Sequence, residues 1–472
     1  ADGPVDTIWI EDLNTVLDDN RILTLANGDR IPMTDNVLIM FENENLDNAS
    51  PATVSRAGII YVSSTDLGWF PPVQTWVRKL ENSELHQPLD NLFIKYVGVN
   101  TQFEPGHMFD FLVRNTVPIM KTSHIGVTSS TCQILGTLIR DKMPDGGHGA
   151  VDESLLERLF LYSLAWSIGG MLTETDRPKL DEYLRGLSEK EGIMPVKRED
   201  GDTIFEYYVD DDGNWEKWIP PEWDYPETDR LDFSNLLVPT MDSTRAIYIL
   251  EQMHSCCYPA MMVGGVGTAK TSTAIMFLNG LDDNKMLVKQ VNFSSATVSR
   301  MVQAAIESEL DKRGGKNFGP PAGKKMMVFF DDVSMPLINE WGDQPTLEIV
   351  RQLIEDSGFR FLEKDKRGDF KTCEDLEFLA CMQQPGGGRN DIPSRLKRHF
   401  FLFNLILPSV TSINDIFGQM LDGRFPEEEM SQAALEVIGK LTEGTIDLWN
   451  QMRTRMLPTP AKFHYIFNLR DL

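Results

Sequence analysis

Gly264-Gly265-Val266-Gly267-Thr268-Ala269-Lys270-Thr271 is the stretch on which the reading of this chain turns. All but one of its positions fit a phosphate-binding loop, with a short apolar run before it and a helical pattern after it. Small residues let backbone N–H groups close around phosphate oxygens. The Lys270 ammonium reaches the outer phosphates, and the Thr271 hydroxyl is placed to ligate Mg²⁺ at a helix N-terminus that favours anions. Ser272 follows in the first helical turn as a further cofactor-binding candidate. Ala269 departs from the pattern, standing where the second glycine belongs. Its methyl group is expected to fit because the residue takes right-handed backbone angles as the helix begins.

A loop of this kind needs an acidic strand end downstream. Met326-Met327-Val328-Phe329-Phe330 is a continuous apolar run, as a strand buried on both faces of a parallel sheet should be, and it ends in Asp331-Asp332. Asp331 is expected to hold Mg²⁺ through water, and Asp332 to orient an attacking water. Around these two elements strands and helices alternate. Asp242 can cap a helix that turns Ala246, Ile249, Leu250 and Met253 inward, and Pro259 to Val263 forms the strand before the loop. A helix follows from Ser272 to Leu278, a strand from Leu287 to Phe293, and a helix over 297–310 with Met301, Val302, Ala305 and Ile306 inward. Asp311 to Lys325, rich in Gly, Pro and Lys, reads as an exposed loop. A helix over 346–354 and a strand at Phe378 to Cys381 complete an α/β fold, a parallel sheet with flanking helices.

Composition bounds the rest. With 472 residues and 41% apolar content, the chain can bury large cores in roughly two to four domains. A net charge of −26 disfavours nucleic acid and anionic membrane as partners. No run of about 18 apolar residues is present to span a bilayer. Cys132, Cys256, Cys257, Cys373 and Cys381 show no CxxC spacing and fit buried thiols in a reducing compartment. The seven histidines are scattered without an HExxH pattern, so metal hydrolysis has no support. No secretory signal is legible. The chain opens at Ala1 rather than Met, and its end after Asn468-Leu469-Arg470-Asp471 also looks cut, so a piece of something longer is expected.

Further out, Val5 to Ile10 reads as a strand ending in Glu11-Asp12, and Val37 to Phe41 as another strand. Residues 76–200 carry helical patterns. Leu155, Leu156, Leu159, Phe160, Ser163, Leu164 and Ile168 share one face there. Phe205 to Val209 and Trp215 to Ile219, separated by Asp210-Asp211-Asp212-Gly213-Asn214, read as a hairpin. Its aromatics have acidic neighbours and are assigned to packing rather than to a nucleic-acid platform. An acidic strand end followed by a strand and an arginine-bearing segment occurs twice, which suggests tandem cores.

The strings 5–20, Ala49-Ser50-Pro51-Ala52-Thr53-Val54-Ser55-Arg56, Pro385-Gly386-Gly387-Gly388-Arg389-Asn390 and Phe467 to Leu472 resemble an axonemal dynein heavy chain. So do Arg395 and Arg398-His399-Phe400. The resemblance runs the whole length and implies a ring of six AAA+ modules. Residues 1–75 would be the C-terminal part of the second module's large subdomain, and 76–200 its helical small subdomain with a linker. Residues 201–235 would be a hairpin insertion, 236–408 the third large subdomain, and 409–472 the start of its small subdomain. The resemblance further implies that Val238-Pro239-Thr240 line an adenine pocket and that Arg470 presses on the γ-phosphate of ATP. Arg56 would be an arginine finger for the first module, and Arg395 or Arg398 one for the second. Such a guanidinium is worth roughly 10³ to 10⁵ in rate where it acts on a phosphoryl-transfer transition state. The implied cofactors are ATP or ADP with Mg²⁺. The implied partners are neighbouring modules, intermediate and light chains, and microtubules through regions outside this segment, in a ciliary or flagellar axoneme.

Departures from the ATPase pattern limit hydrolysis. In the first core Ile10 precedes Glu11, so a magnesium-binding Asp is missing there. In the second core Asp332 replaces the usual glutamate, and Met382 falls where a sensor asparagine is expected with Gln383 and Gln384 beside it. The third-module site is therefore expected to bind nucleotide and to hydrolyse slowly or not at all. A non-motor AAA+ remodelling ATPase and a nucleotide-stabilised scaffold are the alternatives.

Overall fold

Five strands form a parallel sheet around the Gly264 loop: β1 (Ala260–Gly264), β2 (Met286–Asn292), β3 (Lys325–Asp331), β4 (Leu376–Gln383) and β5 (Phe401–Leu405). In the computed structural model their order across the sheet is β5-β1-β4-β3-β2. Residues 4, 6, 44, 99–105, 144–147, 189, 191, 227–235, 322, 341, 363, 367, 427–429 and 472 are outside the described residues, as are the side chains of 7, 8, 64, 65 and 470. Gln383 and Leu405 both pair in register with Gly264, and Asn292 with Asp331. The carboxyl ends of the strands thus converge where the loop leaves β1, the usual ligand position in an open α/β sheet.

The apolar run of β3 is explained by what covers it. Met326, Val328 and Phe330 pack with Val302 and Ile306 of the Ser299–Glu307 helix and Leu347, Val350 and Leu353 of the Pro345–Asp356 helix. Met327 and Phe329 point the other way, into a cluster with Ile249 and Met253 of the Met241–Ser255 helix, Phe277 of the Lys270–Asn279 helix and many residues of 69–209. Period-two alternation with both faces buried gives a strand with no polar side.

Residues 68–336 and 346–472 make one compact unit. Its N-terminal part is helical: Phe70–Lys79, His86–Tyr96, His107–Asn115, His124–Lys142, Glu153–Ser167 and Arg177–Leu187. The expected apolar face on Glu153–Ser167 is present but understates the burial. Every residue from Leu155 to Ser167 except Arg158 is buried, so this helix is the axis of its bundle. The hairpin forms as Tyr207–Val209 against Trp215–Lys217, with Gly213 at φ +81° in the turn. The Asp311 to Lys325 segment is not simply a loop. Asp311–Gly314 and Asn317–Gly319 form a hairpin, and the second strand joins Phe370–Cys373 in parallel, with Thr372 opposite Asn317. Composition suggested a loop because these strands are held by a distant partner rather than by β-branched residues of their own. Met301, expected inward, is 58% exposed.

Residues 1–67 with 337–345 make a second unit. Thr7–Glu11 is a helix there, not the strand that its β-branched and aromatic residues suggest, and Val37 to Phe41 is not a strand either. The ladder among the described residues of this unit is Ile22–Thr24 with Arg30–Pro32. With no ladder to join among the described residues, this segment meets its backbone hydrogen bonds by turning helical. In the described residues no helix is long and apolar enough to cross a membrane.

Candidate functional site

The Gly264–Thr271 loop connects β1 to the Lys270–Asn279 helix. Two glycines are demanded by geometry. A Cβ on Gly264 would lie 2.7 Å from both the Leu405 carbonyl and the Thr268 hydroxyl. Gly267 has φ +79°, and a Cβ there would lie 3.1 Å from the Leu469 backbone nitrogen. Ala269 contradicts the expectation of right-handed angles: at φ +57° and ψ +22° it is left-handed. The loop needs this conformation at the position where the pattern has glycine, and the alanine accepts it at a cost of about 1–2 kcal/mol. Val266 is 44% exposed at the loop tip.

The Lys270 ammonium folds across the loop, donating to the Gly264 and Gly265 carbonyls at 3.1 and 2.6 Å. Thr271 donates its hydroxyl to the Asp331 carboxylate at 3.1 Å. This joins the two expected metal ligands across the mouth of the sheet. Burial pushes the Asp331 carboxyl above the usual carboxylate range, the Asp332 charge adds to this, and the Thr271 hydrogen bond opposes it. A cation at this place would reverse that balance. Among the described residues no group of three or more His, Cys, Asp or Glu could hold a metal. A hydroxyl and one carboxylate are the donor set of an ion that takes its remaining ligands from phosphate and water, so the residues fit Mg²⁺ with a nucleotide. Asp332 follows at φ +57°, its backbone N–H donating to Asp331 Oδ1 at 3.0 Å.

A cavity of about 130 Å³ opens beside the loop. Of the residues named above as cofactor-binding candidates, Val238, Thr240, Thr268, Ala269 and Ser272 line it, while Pro239 is not among its walls. Thr240, not Asp242, caps the Met241–Ser255 helix. Its backbone is extended (φ −126°, ψ +168°), and its hydroxyl and that of Ser243 each accept from the other residue's N–H. Asp242 is already inside the helix, where it lines the cavity and pairs with Arg245. The reading of the sequence missed Asp242, Ile406, Pro408 and Ile416 as cavity residues.

The C-terminal turn Leu469–Asp471 meets the loop at Gly267, anchored by Trp449 Nε1 donating to the Asn468 carbonyl at 3.2 Å. Arg470 sits in this turn, with its side chain outside the described residues. Met382 is fully buried in β4, within the cluster that holds Val328. Gln384 is the neighbour that reaches the loop, its Nε2 lying 3.4 Å from a Cβ built on Gly265.

Arg395 and Arg398 are not among the cavity walls. Arg395 and Arg398 are exposed around the short Ser394–Lys397 helix. Arg398 donates to Glu355 Oε1 at 2.6 Å. Burial would raise the Glu355 carboxyl, but hydrogen bonds from Arg398 and Arg351 outweigh it and hold the group at about 2. Arg56 belongs to the other unit. It closes the Pro51–Arg56 helix, donates to the Ala52 carbonyl at 3.0 Å, and pairs with Asp18 at 3.4 Å.

The family described as P-loop containing dynein motor region matches residues 225–408. That described as dynein heavy chain AAA lid domain matches 89–219. The chain is 46% identical to the dynein gamma chain of the flagellar outer arm of Chlamydomonas reinhardtii. It is 43% identical to dynein axonemal heavy chain 5 of Rattus norvegicus and 44% to dynein axonemal heavy chain 8 of Homo sapiens. Each match covers 100% of this chain and 10%, 13% and 10% of the relative respectively, so the chain spans about a tenth of their length. The loop, the acidic strand end and most of the helical region before them fall inside the two matched stretches, and the chain belongs to the dynein heavy-chain family.

Proposed function

We propose that this chain is a segment of an ATP-driven motor ring whose Gly264–Thr271 loop binds ATP or ADP with Mg²⁺ and regulates the ring more than it hydrolyses. The observation that carries the reading is the pairing of Thr271 with Asp331 at the carboxyl end of the sheet, next to a loop across which Lys270 folds and beside a largely apolar cavity. The loop amides and Lys270 bind phosphate oxygens. Thr271 and Asp331 hold the ion, which when bound neutralises phosphate charge. Val238 and Thr240 take one side of the base, and the turn bearing Arg470 closes the loop from the C-terminal side. Slow turnover is supported by Asp332, one methylene shorter than a glutamate, and by the burial of Met382.

In the same reading 1–75 completes a second module and 236–472 supplies most of a third. Arg56 serves the first module's ATP as an arginine finger, and Arg395 or Arg398 the second's. The setting is a ciliary or flagellar axoneme, where the whole heavy chain, with its intermediate and light chains, drives minus-end-directed microtubule sliding through regions beyond this segment.

Thermal unfolding tests the site. Mg²⁺ with ATP or ADP at about 100 times Kd should stabilise the chain by about 2.7 kcal/mol, and Lys270→Ala should abolish the rise. No rise in the unmutated chain would leave a scaffold with a vestigial loop. Turnover near a typical ~10 s⁻¹ that is abolished by Asp332→Asn would overturn the regulatory role.

A further inference from the structure

Among the described residues, Asp242 is the one ionisable side chain lining the cavity beside the loop. The apolar walls come from Val238, Met276, Leu405, Ile406 and Ile416, and the Thr240 and Ser243 hydroxyls that also face it are engaged in the helix cap. Asp242 is held from behind. Arg245, itself buried and bonded to Glu206 at 3.0 Å, pairs with Oδ1, and Ser412 donates to Oδ2 at a long 3.4 Å. A carboxylate offers about four acceptor positions, so these two partners leave capacity directed at the cavity.

We infer that Asp242 reads the base by accepting a hydrogen bond from the exocyclic amino group of adenine, which makes it the specificity-determining residue of the site. This rests on the reading of the loop and cavity as a nucleotide site. A purine with a carbonyl at the six position sets acceptor against acceptor beside largely apolar walls. Guanine also carries two donors on one edge, but it needs both carboxylate oxygens turned outward to receive them. Here Oδ1 is committed to Arg245. The ion pair with Arg245 keeps the acceptor charged and in place, and a charged acceptor gives the stronger bond.

Calorimetric titration of the 472-residue chain in Mg²⁺ tests this with four diphosphates: ADP, purine riboside diphosphate with hydrogen at the six position, IDP and GDP. ADP should bind tightest, the six-hydrogen analogue about tenfold weaker, and IDP and GDP weaker again. Asp242→Asn, whose amide can donate to a carbonyl, should bring the ADP to IDP ratio close to unity. Should that variant not fold for want of the Arg245 pair, the analogue series on the unmutated chain decides alone. Equal binding of ADP and the six-hydrogen analogue, tighter binding of GDP, or an unchanged ratio in a folded Asp242→Asn chain would each overturn the assignment. If none of the four binds, the nucleotide-site reading itself falls and takes this inference with it.

Discussion

Ala269 sits in the left-handed region because the loop must reverse direction before its helix begins, and a methyl group makes that costly. Ala269→Gly removes the clash while loosening the unfolded chain, and the net expectation is a gain of about 0.5–1 kcal/mol. Urea unfolding checks it, as a higher midpoint at an unchanged slope. Asp332 shares the left-handed region at φ +57°, which a short polar side chain tolerates better than an alanine does. At this scale the string of letters showed that a non-glycine stood in the loop but not which angles it would take. Lys270, Thr271 and Asp331 were legible because loop and strand end each announce themselves locally. Asp242, Ile406 and Ile416 were not, because three distant segments must meet before any of them faces the cavity.

Glu355 ties two elements together. It stands on the Pro345–Asp356 helix and receives Arg398 from beyond the Ser394–Lys397 helix, while Arg351 and His399 lie on the same carboxylate. Its folded value of about 2 is below the ordinary 4.5. The contribution to stability is therefore whole above the ordinary value and drains away as pH falls toward about 2. Denaturant midpoints of the unmutated chain and Glu355→Gln should differ at pH 6 and converge by about pH 2–3, a difference kept modest by the exposure of Arg398. An unchanged gap across that range would show that the carboxylate is not the source. The strands of the parallel sheet were readable because burial on both faces leaves an unbroken apolar run. The Asp311–Gly314 hairpin and the Thr7–Glu11 helix were not, since the one depends on Phe370–Cys373 and the other on the lack of a ladder.

Over the larger unit one hydrophobic core runs from Trp69 through the Glu153–Ser167 helix to Phe403 in β5, so the helical region and the sheet are continuous. Asn404 fastens them. Its N–H donates to the Gly170 carbonyl at 2.7 Å, its side-chain amide to Leu172 at 3.1 Å, and its carbonyl accepts from Arg177 at 3.0 Å. A Cβ on Gly170 would fall 2.2 Å from the Trp166 carbonyl and 3.1 Å from that of Leu402. Gly170→Ala should then cost about 1–3 kcal/mol. Tryptophan fluorescence and far-ultraviolet dichroism should shift to the same lower midpoint, because a shared core unfolds as one. Separate midpoints would show two independent bodies. Within the stretch 201–235, Glu206 receives Arg245 of the Met241–Ser255 helix.

Asn404 also bears on how the protein keeps to itself. β5 is the last strand on its side of the sheet, the kind of border that invites a stranger's backbone to add on. Because Gly170, Leu172 and Arg177 already occupy the Asn404 amides and carbonyl, that border is covered at Asn404, and the helical region there stands in the way of an added strand.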